Sequence, residues 1–356
     1  MSILQYDINK SYQWNYDNVP PATDHETSTV PGAWQFCGLS VDSPLGMPAG
    51  PLLNGHWIMY YAGLGFDVLT YKTVRSVDRA CYELPNLQPV VTETLQGGEI
   101  ELPATNDMAD SWAVSFGMPS KVPATWQADV EWTRKQLPKR KLLNVSVVAS
   151  VQPDWSLDDL ANDYAECAKW AVESGADTVE TNFSCPNVST CDGQLYQQPQ
   201  SAAVVAAKTR ELIGETQYIA KIGHVRDESD AEELIDALAP YVDALAMTNS
   251  VAANVRGLNG DLLFDGQKRG ICGDATRVAS THQTRTFQQI ITRRGDDLKL
   301  IGVGGASTAD HVIEYLEAGA EAVHIATAAM QNPKIGLQIR QDLAAKLENA
   351  TQPCPQ

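Results

Sequence analysis

From Leu45 to about residue 349 the chain alternates between short apolar runs and amphipathic stretches, some eight times over. This rhythm limits the fold more than any single motif does, because each run needs cover on both faces and each helix needs a sheet to lie on. The runs are LGMPAGP (45–51), FDVLTYKTV (66–74), KLLNVSVVAS (141–150), DTVETNF (177–183), YIAKIG (218–223), DALAMTN (243–249), LKLIGVG (298–304) and AVHIAT (322–327). Between them stand helical stretches such as GHWIMYYAGLG (55–65) and SLDDLANDYAECAKWAVESG (156–175). In the latter, Leu157, Leu160, Tyr164, Cys167, Ala168 and Ala171 recur at helical spacing. About eight strand–helix units predict an α/β chain closed into a (β/α)8 TIM barrel.

Such a barrel takes roughly 250 residues. The expected layout is an N-terminal extension over 1–40, one barrel domain over 41–349 with an insertion at 75–113, and a tail over 350–356. The extension reads as irregular and 250–274 as a loop, while the Pro- and Gly-rich insertion leaves room for a hairpin of its own. An open doubly wound sheet is the alternative fold, but no GxGxxG follows the first strand.

Charge and cysteine usage narrow the function. The formal net charge is −18, and such a surface repels phosphate backbones, which argues against nucleic acid as a partner. The seven cysteines, Cys37, Cys81, Cys167, Cys185, Cys191, Cys272 and Cys354, are scattered and form no CxxC pair. They predict neither a disulfide framework nor a metal site. The first twenty residues lack a basic stretch followed by an apolar core, and no apolar run approaches membrane-spanning length. The expectation is a cytoplasmic protein without a membrane partner.

Catalytic groups of such barrels sit where strands end. Here those ends carry Ala49-Gly50, Lys72-Thr73, Ser150, the segment from Asn182 to Cys185, Lys221, Thr248-Asn249-Ser250, Gly304-Gly305 and Ala326-Thr327. GVGGAST (302–308) followed by ATAA (326–329) suits a phosphate cradle on the last two loops, although glycine also punctuates αβ turns generally. Lys72 and Lys221 each end an apolar strand. Each reads either as a lysine reaching its amine to the rim or as a cation facing a flavin ring. Cys185 reads either as a small buried apolar group or as a thiol general base. Asn182, Asn187 and Asn249 around it offer the donors and acceptors that a ring with imide-like edges needs.

The segment ETNFSCPN (180–187) resembles the E-x-N-x-S-C-P-N stretch of class 1 dihydroorotate dehydrogenases. PAG (48–50), YKTV (71–74), SFGMPS (115–120), AKI (220–222), TNS (248–250), GVGGAST and IATA (325–328) resemble that family in the same order, over about residues 40–345. The stretch leading into ETNFSCPN is also similar to the pyrimidine-reducing domain of dihydropyrimidine dehydrogenase. The resemblance implies an FMN-binding barrel that oxidises or reduces a CH–CH bond of a small cyclic, pyrimidine-like substrate. Cys185 would then be the base. Lys72, Ser115, Gly117, Met118, Asn182, Asn187, Asn249 and Ser250 would hold the substrate. FMN would lie against Ala49, Gly50, Lys72, Thr73, Asn182, Lys221, Thr248 and Gly273, with its phosphate on Gly304, Gly305, Ala326 and Thr327. The loop PNVSTCDGQLYQQ (186–198) would be a lid, and Cys191 within it a rival thiol.

There are departures from the family pattern. Val114 stands where the family carries an asparagine that helps bind orotate, and Ala326 stands where a glycine is usual. The resemblance therefore leaves the exact ring open. It also implies a homodimer, and an electron acceptor that is either soluble or a separate subunit. Two other activities compete: a tRNA dihydrouridine synthase, which the acidic charge disfavours, and a non-redox lyase or isomerase using Lys72 or Lys221 as a Schiff-base amine.

Overall fold

In the computed structural model, eight parallel strands close into a barrel in chain order. They are β1 (Leu45–Met47), β2 (Val68–Val74), β3 (Leu142–Val147), β4 (Thr178–Asn182), β5 (Gln217–Lys221), β6 (Ala244–Met247), β7 (Lys299–Val303) and β8 (Ala322–His324). The structure describes residues 5–95, 97, 98, 100–184, 194–248 and 250–351, the last two by backbone alone. The main helices are α1 (Gly55–Ala62), α2 (Pro123–Gln136), α3 (Leu157–Glu173), α4 (Pro199–Ile213), α5 (Glu228–Leu238), α6 (Arg277–Arg294), α7 (Ala309–Glu317) and α8 (Ile335–Thr351), with short ones at Thr327–Gln331 and, in the extension read as irregular, at Tyr12–Asp17. The eightfold reading of the sequence therefore holds, because parallel strands covered by helices are buried on both faces and read as largely apolar runs.

Local chemistry sets the helix ends. Ser156 and Asp159 form a reciprocal capping box at the start of α3. The stripe Leu160, Tyr164, Cys167, Ala168 and Ala171 is buried, whereas Leu157, read as part of it, is exposed. No helix among the described residues is long and apolar enough to cross a membrane.

The barrel floor comes from a segment that reads as irregular. Trp34–Phe36 and Leu39–Val41 form a hairpin whose two turn residues, Cys37 and Gly38, both have positive φ (49° and 81°). Phe36 and Val41 plug the barrel beneath Val68, Leu142, Ile219, Ala244, Ile301 and Ala322, one residue from each of six strands. Above this apolar layer the interior turns polar. Asn144 donates to Thr70 Oγ1 at 3.2 Å and accepts from Thr178 at 2.8 Å, and Thr73 and Ser146 share a hydrogen bond of 3.0 Å.

A second sheet corrects the reading of 250–274 as loop. Val251–Arg256 and Arg269–Gly273 are strands, joined to Leu87–Pro89, Ser111–Val114 and Glu101–Pro103 from the insertion. The insertion does contain an antiparallel pair, Leu87–Pro89 with Ser111–Val114. Its middle strand, Glu101–Pro103, leaves that pair and runs parallel to Val251–Arg256. The sheet has a small core of its own, including Leu102, Ala113, Val251, Ala253 and Ile271.

Candidate active site

A cavity of about 500 Å³ opens where the barrel strands end, between them and the second sheet. Fourteen residues named from the sequence meet there, and they come from many strands. Ala49 and Gly50 follow β1, Asn182 ends β4, Lys221 ends β5, and Ser250 follows β6. Lys72 and Thr73 are consecutive, yet both reach the cavity, because the β2–β3 register shifts between Tyr71 and Val74. Gly117 and Met118 enter from the loop after Ser111–Val114, and Gly273 closes the second sheet. Gly304, Gly305, Ala326 and Thr327 line the opposite end.

Two residues stand behind this wall. Ser115 is buried and its hydroxyl accepts from Arg269 Nε at 2.9 Å. Thr248 is fully buried, and its Oγ1 has no partner among the described residues. Cys185, Asn187, Asn249 and Cys191, with most of the loop read as a lid, lie outside the described residues.

The charge distribution is uneven. Lys72 and Lys221 border the cavity at only 7% and 6% exposure, and burying a charge is costly unless something opposes it. Lys221 stands level with Asn182 in register. Glu180, one inward position below Asn182, is buried; burial pushes its carboxyl up, against the pull of Lys221 and a hydrogen bond from Ser146. Two cations thus face the end of the cavity where Asn182 lies. The Asn182 amide donates to the Met118 sulfur at 3.4 Å and accepts from Ser184 N–H at 3.1 Å, which ties β4 to the 115–120 loop.

At the other end the backbone turns sharply. Gly304 and Gly305 have φ of 150° and 67°. A side chain on Gly305 would come within 2.8 Å of Arg277 Cβ and of the Gly273 carbonyl. Only glycine lets the chain pass there, the kind of turn that in general suits anion binding through peptide N–H groups. Thr327 donates to Cys272 Sγ at 3.3 Å, and Cys272 in turn to the Trp112 carbonyl at 3.4 Å, so the second sheet is tied to the end of β8. The thiols of Cys37, Cys81, Cys167 and Cys272 are all pushed up by burial, Cys81 to about 11, and none is an activated nucleophile.

Three contributors escaped the sequence reading. Trp112 walls the cavity from a strand that is invisible without its non-local partners. Arg75, one residue past YKTV and fully buried, donates to the Met118 carbonyl at 3.1 Å and to the Ala149 carbonyl, so it braces the 115–120 loop against the loop after β3. The third, His324, also borders the cavity at 2% exposure, and its place two residues before Ala326 on the inward face was the available signal.

Burial pushes the His324 imidazole down to about 3 from an ordinary 6.5. The folded protein therefore keeps it neutral while the unfolded chain takes up a proton below pH 6.5, so the unfolded state binds more protons between those values. Stability falls as pH drops through 6.5. Between pH 7 and 5.5 the unmodified protein should lose about 1 kcal/mol more unfolding free energy than H324Q, as read from urea titrations. Equal losses would show that the imidazole is solvated.

Comparison with known proteins places the chain in a family. The family model for dihydroorotate dehydrogenase matches residues 33–347. The chain is 31% identical to a dihydroorotate dehydrogenase of Dictyostelium discoideum over 356 aligned positions, 94% of this chain and 95% of that protein. It is 27% identical to the catalytic subunit of a dihydroorotate dehydrogenase B (NAD(+)) of Desulforudis audaxviator, over 88% of this chain and 92% of that protein. The match to the corresponding Staphylococcus carnosus subunit is also 27% identical, but covers only 60% of this chain and 66% of that protein. Among solved structures, dihydroorotate dehydrogenase of Eimeria tenella in complex with ferulenol superposes with a TM-score of 0.75 over 95% of this chain and 90% of that one. At 16% identity this last likeness speaks for the fold. On the extent of the family match and the near full-length relative, the chain belongs to the dihydroorotate dehydrogenase family.

Proposed function

We propose that the protein is an FMN-dependent oxidoreductase acting on a CH–CH bond of a small cyclic substrate, dihydroorotate or a related dihydropyrimidine. One observation carries this reading: two buried lysines and an asparagine face a glycine-lined turn across a single cavity. The residues suit the cofactor. The Gly304–Gly305 turn is a cradle that a Cβ would fill, the lysines suit an electron-accepting ring, and Thr248 offers a buried hydroxyl without a partner among the described residues. When bound, FMN supplies the acceptor for a hydride from the substrate carbon.

The chain's own residues do the rest. Lys221 and Lys72 place positive charge where the ring becomes electron-rich on reduction. Ala49, Gly50, Thr73, Thr248 and Gly273 shape its seat, and Gly304, Gly305, Ala326 and Thr327 hold the phosphate through backbone N–H groups. Asn182 and Ser250 orient the substrate beside Gly117 and Met118, with Ser115 held behind them. Asn187 and Asn249 complete the amide set, and Cys185 Sγ receives the proton from the ring carbon next to the one that loses hydride; these three roles rest on the sequence. The reading extends to a homodimer, on the analogy of related barrels. It includes an electron acceptor beyond this chain, supported by relatives described as catalytic subunits of NAD(+)-type enzymes.

The protein desalted after incubation with FMN should retain stoichiometric flavin, read from its visible spectrum. A colourless protein that lets all FMN pass would end this reading.

A further inference from the structure

Neither ring nitrogen of His324 has a hydrogen-bond partner among the described residues, although the side chain borders the cavity and is nearly wholly buried. Carbon holds the ring from two sides. It lies nearly parallel to Phe36 of the floor hairpin, with centroids 5.8 Å apart. On the neighbouring strand it pairs in register with Gly46, where any side chain would run into its Cδ2 and Nε2. A buried imidazole kept neutral carries one N–H donor and one acceptor, and leaving both unused is unfavourable.

Its place in the barrel says what could satisfy it. His324 ends β8. The strand on one side, β7, leads into the glycine turn at Gly304 and Gly305; on the other side β1 and then β2 lead to Lys72. Any ligand that spans from the turn to Lys72 passes over the ends of β8 and β1. A phosphate offers a neutral imidazole only acceptors, and the face of an aromatic ring offers neither role. A hydroxyl donates and accepts.

We propose that His324 hydrogen-bonds a hydroxyl of the polyhydroxylated chain that joins phosphate to ring in the bound cofactor. This rests on the FMN reading above, and adds a binding residue between the two ends of the cofactor site. Because burial holds the ring neutral, the contact should not change between pH 6 and 8.

The test is a double comparison on the full-length chain freed of flavin. FMN and its 2′-, 3′- and 4′-deoxy analogues are titrated into the unmodified protein, H324L and H324F, with flavin fluorescence as the readout. One analogue should bind the unmodified protein about tenfold more weakly than FMN. Both variants should bind that analogue and FMN alike, and H324Q, which keeps a donor and an acceptor, should restore much of the discrimination. Two variants of different shape guard against one that does not fold. If H324L or H324F discriminates among the analogues as the unmodified protein does, His324 does not contact the chain, and the proposal is overturned while the flavin reading stands. If the unmodified protein binds no FMN at all, both are overturned.

Discussion

Cys185→Ala is expected to lower turnover by about 10²–10⁴-fold, the range that a positioned proton acceptor contributes, while leaving FMN affinity within about twofold. The reason is a division of labour between groups. On the proposed reading the lysines and the glycine turn would hold the cofactor whether or not a thiol is present, whereas breaking a C–H bond on the substrate ring needs a base beside it. Turnover would be measured as oxidation of dihydroorotate with an artificial electron acceptor, and flavin content from the spectrum of the same sample. Cys185→Ser should restore little, since a hydroxyl ionises far above a thiol and is a weaker base near neutral pH. An unchanged rate in the alanine variant would move the proton transfer elsewhere. Cys191→Ala, made in parallel, would then identify the rival thiol of the same loop.

The second large effect is structural. Gly273→Ala should destabilise the protein by about 2–4 kcal/mol and weaken FMN binding at least tenfold. Gly273 has φ of 97°, and a Cβ there would lie 2.0 Å from the Asp110 carbonyl and 2.8 Å from Ser111 Cα. Those are backbone atoms at and just before the start of a paired strand, so they cannot swing aside as a side-chain tip would. The Gly273 carbonyl also accepts from Thr276 at 2.8 Å and lies 2.8 Å from where a Gly305 Cβ would stand, so displacing it disturbs the Gly304–Gly305 turn directly. Gly260→Ala is the control. It has a similar φ of 88° but nothing within 4 Å of the added carbon, so it should carry the backbone strain alone, about 1–2 kcal/mol. Urea unfolding and FMN titration separate the two. If both substitutions behaved alike, packing between the second sheet and the cradle would not be what holds the site.

The barrel was legible in the sequence because its signal is local. Most barrel strands are largely apolar runs, the helices between them begin and end close to where pattern and caps place them, and consecutive strands pair with each other. The rest depends on partners far away in the chain. Val251–Arg256 alternates buried with half-buried or exposed positions, but becomes a strand by pairing with Arg269–Gly273 on one side and Glu101–Pro103 on the other. Nothing near Asn254 announces a neighbour some 150 residues earlier. The floor hairpin escaped for a different reason. Its turn places Cys37 at positive φ, where asparagine or aspartate before glycine would have been the recognisable sign.

The candidate site divides along the same line. Strand-end residues such as Lys72, Asn182, Lys221 and Gly305 could be named because the end of a barrel strand is a position that the pattern locates. Arg75 and His324 could not be valued without the structure. The role of Arg75 depends on two carbonyls from separate loops, and that of His324 on an aromatic floor contributed by the N-terminal hairpin.

That a cyclic dihydropyrimidine is oxidised against a flavin seated between the two lysines and the glycine turn is tested most directly by anaerobic titration of the FMN-loaded protein with dihydroorotate, followed in the visible spectrum. The flavin band should bleach stoichiometrically and return when an oxidant is admitted. If the band persists through excess dihydroorotate, dihydrouracil and dihydrothymine alike, the protein does not carry out this chemistry, whatever its fold.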